Sequence, residues 1–179
     1  YLHYHSNREK INLLLAELQS AYPEQEFYPL CLDFTDEAGV STLADHIFSL
    51  QAIVFAHGTT EYGLLQDMTS EQMDALWEMH VKMPILIIQA LQDKIARSRN
   101  GRIVFISSVY GEVGSGLEVL YSTVKGAQIA FVKAYSKEVA SLGVTVNAIC
   151  PGAIDTQMNA HLENDEKEAL LEEIPLGRM

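Results

Sequence analysis

Apolar positions along this chain follow two alternating rhythms. Short, nearly unbroken apolar or aromatic runs recur at residues 1–5 (YLHYH), 27–34 (FYPLCLDF), 50–57 (LQAIVFAH), 101–108 (GRIVFISS) and 144–150 (VTVNAIC). Runs of this length, bounded by turn residues, read as strands. Longer stretches lie between them, with apolar residues three and four apart. Residues 6–22 carry Ile11, Leu14, Leu15 and Leu18 at helical spacing, with Ser6 or Asn7 as the cap. Residues 40–49 read as a short helix. Residues 70–96 read as a long one, capped at Ser70 and kinked at Pro84. Residues 121–142 form a helix stopped by Gly143. Residues 151–156 read as a loop and the acidic stretch 161–173 as a surface helix.

Strands that alternate with helices predict a parallel sheet with helices on both faces. The unbroken apolar strand at 50–57 fits burial on both sides. No repeat, low-complexity segment or linker interrupts the pattern, so residues 1–179 read as one domain. Ligands of such sheets bind beyond the carboxyl ends of the strands. The informative residues are therefore those that follow each strand: Ser6, Asn7 and Arg8; Asp33 and Phe34; Ala56, His57 and Gly58; Ser107 and Ser108; Pro151 and Gly152.

Composition narrows the classes. Apolar residues make up 48% and the net charge is -12. That balance opposes nucleic acid and anionic membranes as partners, since both need clustered Lys and Arg. No apolar run approaches the ~20 residues of a membrane span, and no signal peptide is visible. Cys31 and Cys150 sit in apolar stretches and read as buried free thiols of a cytoplasmic protein. His3 and His5 alternate, but no second cluster at metal-ligand spacing accompanies them, so no metal is expected.

The stretch GEVGSG matches a glycine-rich phosphate loop only on paper. Such a loop places its glycines in the turn that opens a helix. Here residues 117–121 separate Gly116 from Ser122. The stretch reads instead as a loop over a substrate site, with glycines allowing tight turns. Tyr121 and Lys125 carry more weight, because i, i+4 spacing puts both on one helix face. A phenol of pKa ~10 is a poor proton carrier at neutral pH. A nearby ammonium lowers that value. Ser108, at the end of the preceding strand, is placed to hold a carbonyl oxygen. The three suit interconversion of a ketone and an alcohol.

This arrangement resembles the short-chain dehydrogenase/reductase family. VNAICPGAIDT is similar to the family's NxxxPGxxxT stretch. ISSVYGEVG and YSTVKGAQIAFVKAYSKEVASLGVTVNAICPG are similar to bacterial 3-oxoacyl-acyl-carrier-protein reductases. The resemblance covers nearly the whole chain. It implies a Rossmann-like, doubly wound, three-layer α/β/α fold and an NADP(H)-dependent reductase of ketones. By resemblance Tyr121 donates the proton, and Lys125 binds the nicotinamide ribose and lowers the Tyr pKa. Ser108 holds the substrate oxygen. Pro151, Gly152, Ile154 and Thr156 line the nicotinamide side, and Asp33 and Phe34 meet the adenine. Ser6, Asn7 and Arg8, in place of a carboxylate, suit a 2′-phosphate and favour NADP(H). Arg8 as a solvated first-turn residue is the plainer alternative.

The sequence departs from the family in three places. The N-terminal strand with its TGxxxGxG loop and a C-terminal segment are absent, which predicts a domain incomplete at both ends and a longer biological chain. The family's Asn-Asn-Ala-Gly reads Phe55-Ala56-His57-Gly58. There Ala56 and Gly58 keep the cofactor side, and His57 either faces the cofactor or packs locally. The family's active-site Asn falls on His80, which is either a proton relay or a satisfied helix residue. The resemblance implies a small or carrier-linked ketone as substrate. Arg99 matches a carrier-docking position of the acyl-carrier-protein reductases, but the second basic position is Leu142. The elongation factor P 5-aminopentanone reductase is an alternative of the same family, favoured by HVKMP and LEVLYSTVKGAQ and by the acidic charge. A non-catalytic NADP(H)-binding sensor is the alternative outside enzymes. Stripes on the helices holding Trp77 and Tyr121 (Leu76, Pro84, Ile87, Ile88; Val124, Phe131, Tyr135) read as core or as the seam of a homodimer or homotetramer.

Overall fold

The computed structural model describes residues 1–33, 37–156 and 164–179. Strand β1 (Leu2–Tyr4) leads through helix α1 (Arg8–Ala21) to β2 (Pro29–Cys31) and α2 (Glu37–His46). Strand β3 (Ala52–Phe55) then precedes α3 (Ser70–Trp77) and α4 (Met83–Arg97). Strand β4 (Arg102–Ile106), a short α5 (Tyr110–Val113), α6 (Val119–Val139), β5 (Thr145–Ile149) and α7 (Asn164–Glu173) complete the order. The strands pair in parallel as β1-β2 and β3-β4-β5. This is the Rossmann-like α/β architecture anticipated from the alternating pattern.

Register explains the core. Ile53, Ile103 and Val146 stand side by side across β3, β4 and β5, and Phe55, Phe105 and Ala148 form the next row. Phe55 and Phe105 stack with centroids 4.7 Å apart. Met83, Ile87, Ile88, Leu91 and Ile95 of α4 and Val132, Tyr135 and Val139 of α6 close over these rows. Each such side chain contributes about 1.5–3 kcal/mol by leaving water. Leu76, Pro84, Ile87, Ile88, Val124 and Tyr135 are all buried within the single chain.

The expectation of strand 50–57 buried on both faces does not hold throughout. Val54 is 59% exposed, because side chains alternate across a strand and the buried cluster takes Ile53 and Phe55. The same alternation corrects the reading of Cys31 as a buried thiol. Leu30 packs on the core, so Cys31 turns outward and is exposed, while Cys150 is half-buried. A slot of about 570 Å³ opens between the two sheets, lined by Leu2 and His3 of β1 and by Ile53, Val54 and Phe55 of β3. β1 pairs only with β2, and β3 only with β4, among the described strands, so the other edge of each lacks a ladder.

Other boundaries shift for local reasons. Thr69, not Ser70, caps α3. Gln72 N–H donates to Thr69 Oγ1 at 3.3 Å and Thr69 N–H donates to Gln72 Oε1 at 2.9 Å, a reciprocal box. The kink at Pro84 takes the form of a widened π turn over Glu78–Lys82. α2 starts at Glu37, earlier than residue 40. α6 starts at Val119 and ends, after a tight turn, at Gly143 with φ 73°. The reading of 161–173 as a helix is matched from Asn164 onward, and residues 161–163 lie outside the described residues.

Candidate active site

A cleft of about 460 Å³ opens at the carboxyl ends of β3 and β4, in front of α6. Three devices place its polar side chains. Ser107 Oγ donates to Lys125 O at 3.0 Å and ties the end of β4 to the middle of α6. Gly111 lets α5 cross α6 at close range, since a Cβ there would stand 2.7 Å from the Lys125 carbonyl carbon. Its role is close approach rather than the tight turn expected of it; Gly114, at φ 77°, makes the turn that ends α5. Ser108 Oγ accepts the N–H of Tyr110 at 3.1 Å, which fixes its hydroxyl beside the cleft.

Tyr121 and Lys125 are buried on the inner face of α6, as their spacing predicted. Burial pushes the Tyr121 phenol above its ordinary value of 10.0, a nearby Ser108 hydroxyl pulls it down, and Glu118 and Tyr110 push it up. The expected lowering by Lys125 is not found. Its ammonium donates to Ile106 O at 2.8 Å and lies 5.4 Å from the centre of the Tyr121 ring, so it faces the ring rather than the hydroxyl. Burial pushes Lys125 itself down to about 8.

His57 lines the cleft floor and His80 lies beneath it. Nε2 of His57 donates to Met79 O at 2.9 Å, and burial pushes this imidazole down to about 4. His80 is fully buried, edge-on to Tyr121 with centroids 5.8 Å apart, and also pushed to about 4 by burial and by Lys125. Both rings are neutral at pH 7. Gly58 covers His80 closely, for a Cβ at this position would meet His80 Cε1 at 2.5 Å.

The cleft gathers most of the residues singled out in the sequence. Ser108, Tyr121 and Lys125 line it with Ala56, His57 and Gly58. Pro151, Gly152, Ile154 and Thr156 form the facing wall. His80 lies beneath the floor and does not line it. Ser6, Asn7, Arg8 and Asp33 lie at the ends of β1 and β2, outside this cleft. Asn7 Oδ1 accepts the N–H of Lys10 at 3.0 Å and caps α1, so that oxygen already serves the helix. Asp33 stands 3.5 Å from His5 Nε2. Phe34 lies outside the described residues.

The family pattern described as short chain dehydrogenase matches residues 1–167. The chain belongs to the short-chain dehydrogenase family. It is an oxidoreductase, of a family that uses nicotinamide cofactors. It is 36% identical over 179 residues to the Bacillus subtilis (strain 168) protein named uncharacterized oxidoreductase YmfI, covering 99% of this chain and 74% of that one. It is 32% identical over 154 residues to the 3-oxoacyl-[acyl-carrier-protein] reductase FabG of Escherichia coli (strain K12), covering 84% of this chain and 63% of that one. The crystal structure of a dehydrogenase/reductase from Sinorhizobium meliloti 1021 superposes with a TM-score of 0.89 at 24% identity, over 99% of this chain and 70% of that one.

A nicotinamide cofactor fits the donor set for its reacting half. Lys125 offers a buried ammonium, and Gly152 leaves open space where a side chain would stand. Sequence reasoning passed over three side chains that the short-chain dehydrogenase cleft includes or rests on. Thr60 Oγ1 donates to Glu118 Oε1 at 3.0 Å, and both line the cleft. Neither follows a strand directly, so no end-of-strand rule finds them. Gln128 is 3% exposed on α6. Its signal was present: Tyr121, Lys125 and Gln128 form an i, i+4, i+7 polar stripe on a face that is otherwise apolar.

Proposed function

We propose that this protein is an NADP(H)-dependent carbonyl reductase that converts a ketone to a secondary alcohol, with a 3-oxoacyl group on a carrier as substrate. The observation that carries the reading is the convergence of Ser108, Tyr121 and Lys125 on one cleft. In this reading the Ser108 hydroxyl donates a hydrogen bond to the carbonyl oxygen and the Tyr121 phenol passes its proton to that oxygen as the C–O bond becomes single. Lys125, charged below about pH 8, bonds the ribose hydroxyls of the cofactor, and the Ser108 hydroxyl is the group that eases loss of the Tyr121 proton. When bound, the cofactor supplies the hydride. Ser6 and Arg8, at the end of β1, are read as the groups that favour the 2′-phosphate. Tyr121→Phe keeps the ring and loses the proton. Its expected result is a loss of turnover of about 10²–10⁴-fold with cofactor affinity unchanged. A binding protein without turnover would show no such difference.

Glu118 favours a second reading, a ketone that bears an amine, such as the aminopentanone group carried by elongation factor P. Its carboxylate lines the cleft, and it is felt electrostatically by Tyr121 and Tyr110. With a net charge of -12 and Leu142 at a docking position, an acidic carrier gains little steering. Glu118→Gln separates the two: it weakens KM for an amine-bearing ketone and leaves that for a 3-oxoacyl thioester in place.

A further inference from the structure

The widened turn before α4 has an accounting problem that two side chains solve. Met83 N–H bonds Glu78 O, five residues back. In that register residue 84 would bond the Met79 carbonyl, and in an ordinary α-helix the His80 carbonyl. Residue 84 is proline and has no N–H to give to either. The Met79 carbonyl accepts from His57 Nε2 at 2.9 Å, and the His80 carbonyl accepts from Gln128 Nε2 at 2.8 Å. Buried carbonyls need such donors.

His80 transmits this arrangement to the cleft. Its Nε2 stands 2.8 Å from Thr59 O and 3.3 Å from Thr59 N. A carbonyl only accepts, so the shorter contact assigns the proton to Nε2. Nδ1 then keeps a lone pair, and neither it nor Gln128 Oε1 has a hydrogen-bond partner among the described residues. The ring sits under Gly58 and edge-on to Tyr121. Tyr121 and Lys125 of α6 and His57 after β3 are the titratable groups that face it.

We propose that Gln128 is a positioning residue: its amide N–H replaces the donor missing at Pro84 and sets the height of His80 beneath Gly58 and Thr59, where the Thr59 carbonyl fixes the tautomer, against the ring of Tyr121. This rests on the reading of Tyr121 as the proton carrier. It also assigns His80 a positioning role in place of a relay, since a fully buried ring kept neutral near pH 7 has no exposed edge from which to exchange a proton.

The test follows the imidazole nitrogens of the ¹⁵N-labelled full chain across pH, with His80→Asn to identify the His80 signals. The wild type is expected to keep His80 neutral with the proton on Nε2 well below its ordinary pKa of ~6.5. Gln128→Met removes the donor at similar volume. It should raise the His80 titration by about one unit or more and mix the tautomers. Ketone turnover should fall roughly tenfold or more, with cofactor affinity unchanged. Gln128→Met combined with Pro84→Ala returns an N–H to the helix and should restore the His80 signals. Unchanged His80 signals in Gln128→Met would overturn the proposal, as would a double variant no closer to wild type than the single one. If Gln128→Met does not fold, the double variant decides alone: a native His80 spectrum supports the proposal and an unfolded chain overturns it. A wild type without ketone turnover sinks the reductase reading only, because the spectra decide this one separately.

Discussion

Gly111 illustrates how one atom holds the cleft together. Adding a Cβ would press it to 2.7 Å from the Lys125 carbonyl carbon and 2.9 Å from the Gly126 nitrogen, both backbone atoms that cannot swing away. Gly111→Ala should therefore destabilise the chain by about 1–3 kcal/mol. It should also move Lys125 relative to Ser108. Thermal unfolding and turnover should fall together, whereas Gly116→Ala, with open space around its Cβ, should change neither much. The buried histidines give a second prediction. His57 and His80 titrate near 4 in the folded chain and near 6.5 unfolded. Between these values the unfolded chain binds more protons, so stability falls as pH drops through that window. Lys125 has the same sign higher up, from about 8 to 10.5, where stability rises with pH. Urea midpoints at pH 7 and 4.5 test the histidine limb: a flat midpoint contradicts it, and His57→Gln should remove part of the slope. At this scale the sequence was legible where chemistry follows spacing. Tyr121 and Lys125 came from i, i+4, and Ser108 from its place after a strand. The orientation of the Lys125 ammonium toward Ile106 was not legible, because it depends on where β4 ends relative to α6.

Elements were easier to place than their ends. Thr69 and Gln72 exchange hydrogen bonds at the start of α3, so Thr69→Ala should lower stability by ~1 kcal/mol. Ser70→Ala should do almost nothing, which thermal unfolding of the two variants distinguishes. Capping-box spacing was readable in the TSEQ stretch, yet Ser70 stood equally close to the apolar rhythm. The proline in 70–96 announced a break, but its form, a π turn closed by Gln128 and His57, depends on contacts far apart in sequence. All the pairings among the described strands are parallel, as the alternation of strands and helices predicts.

On the scale of the molecule, the cleft lies at the carboxyl ends of the strands, where the alternation of strands and helices directed attention from the start. Charge acts at this scale too. In the proposed reading, an excess of carboxylates over the whole chain, with Glu118 in the cleft, bears on which ketone arrives rather than on how it is reduced. No helix among the described residues is long and apolar enough to cross a membrane. The stripes of α4 and α6 are spent on the core of one chain. A homodimer or homotetramer would instead use side chains left outside, such as Trp77, 48% exposed on α3. Light scattering on the wild type and on Trp77→Glu tests this: a wild-type assembly that Trp77→Glu dissociates supports that use of Trp77, and one that the variant leaves intact contradicts it. The convergence of Ser108, Tyr121 and Lys125 on one cleft is put to the test by NADPH oxidation with a 3-oxoacyl thioester and with an amine-bearing ketone, comparing wild type with Tyr121→Phe. The account predicts turnover of one of these by the wild type, a loss of about 10²-fold or more in Tyr121→Phe, and equal NADPH affinity in both. Equal rates in the two proteins would contradict it.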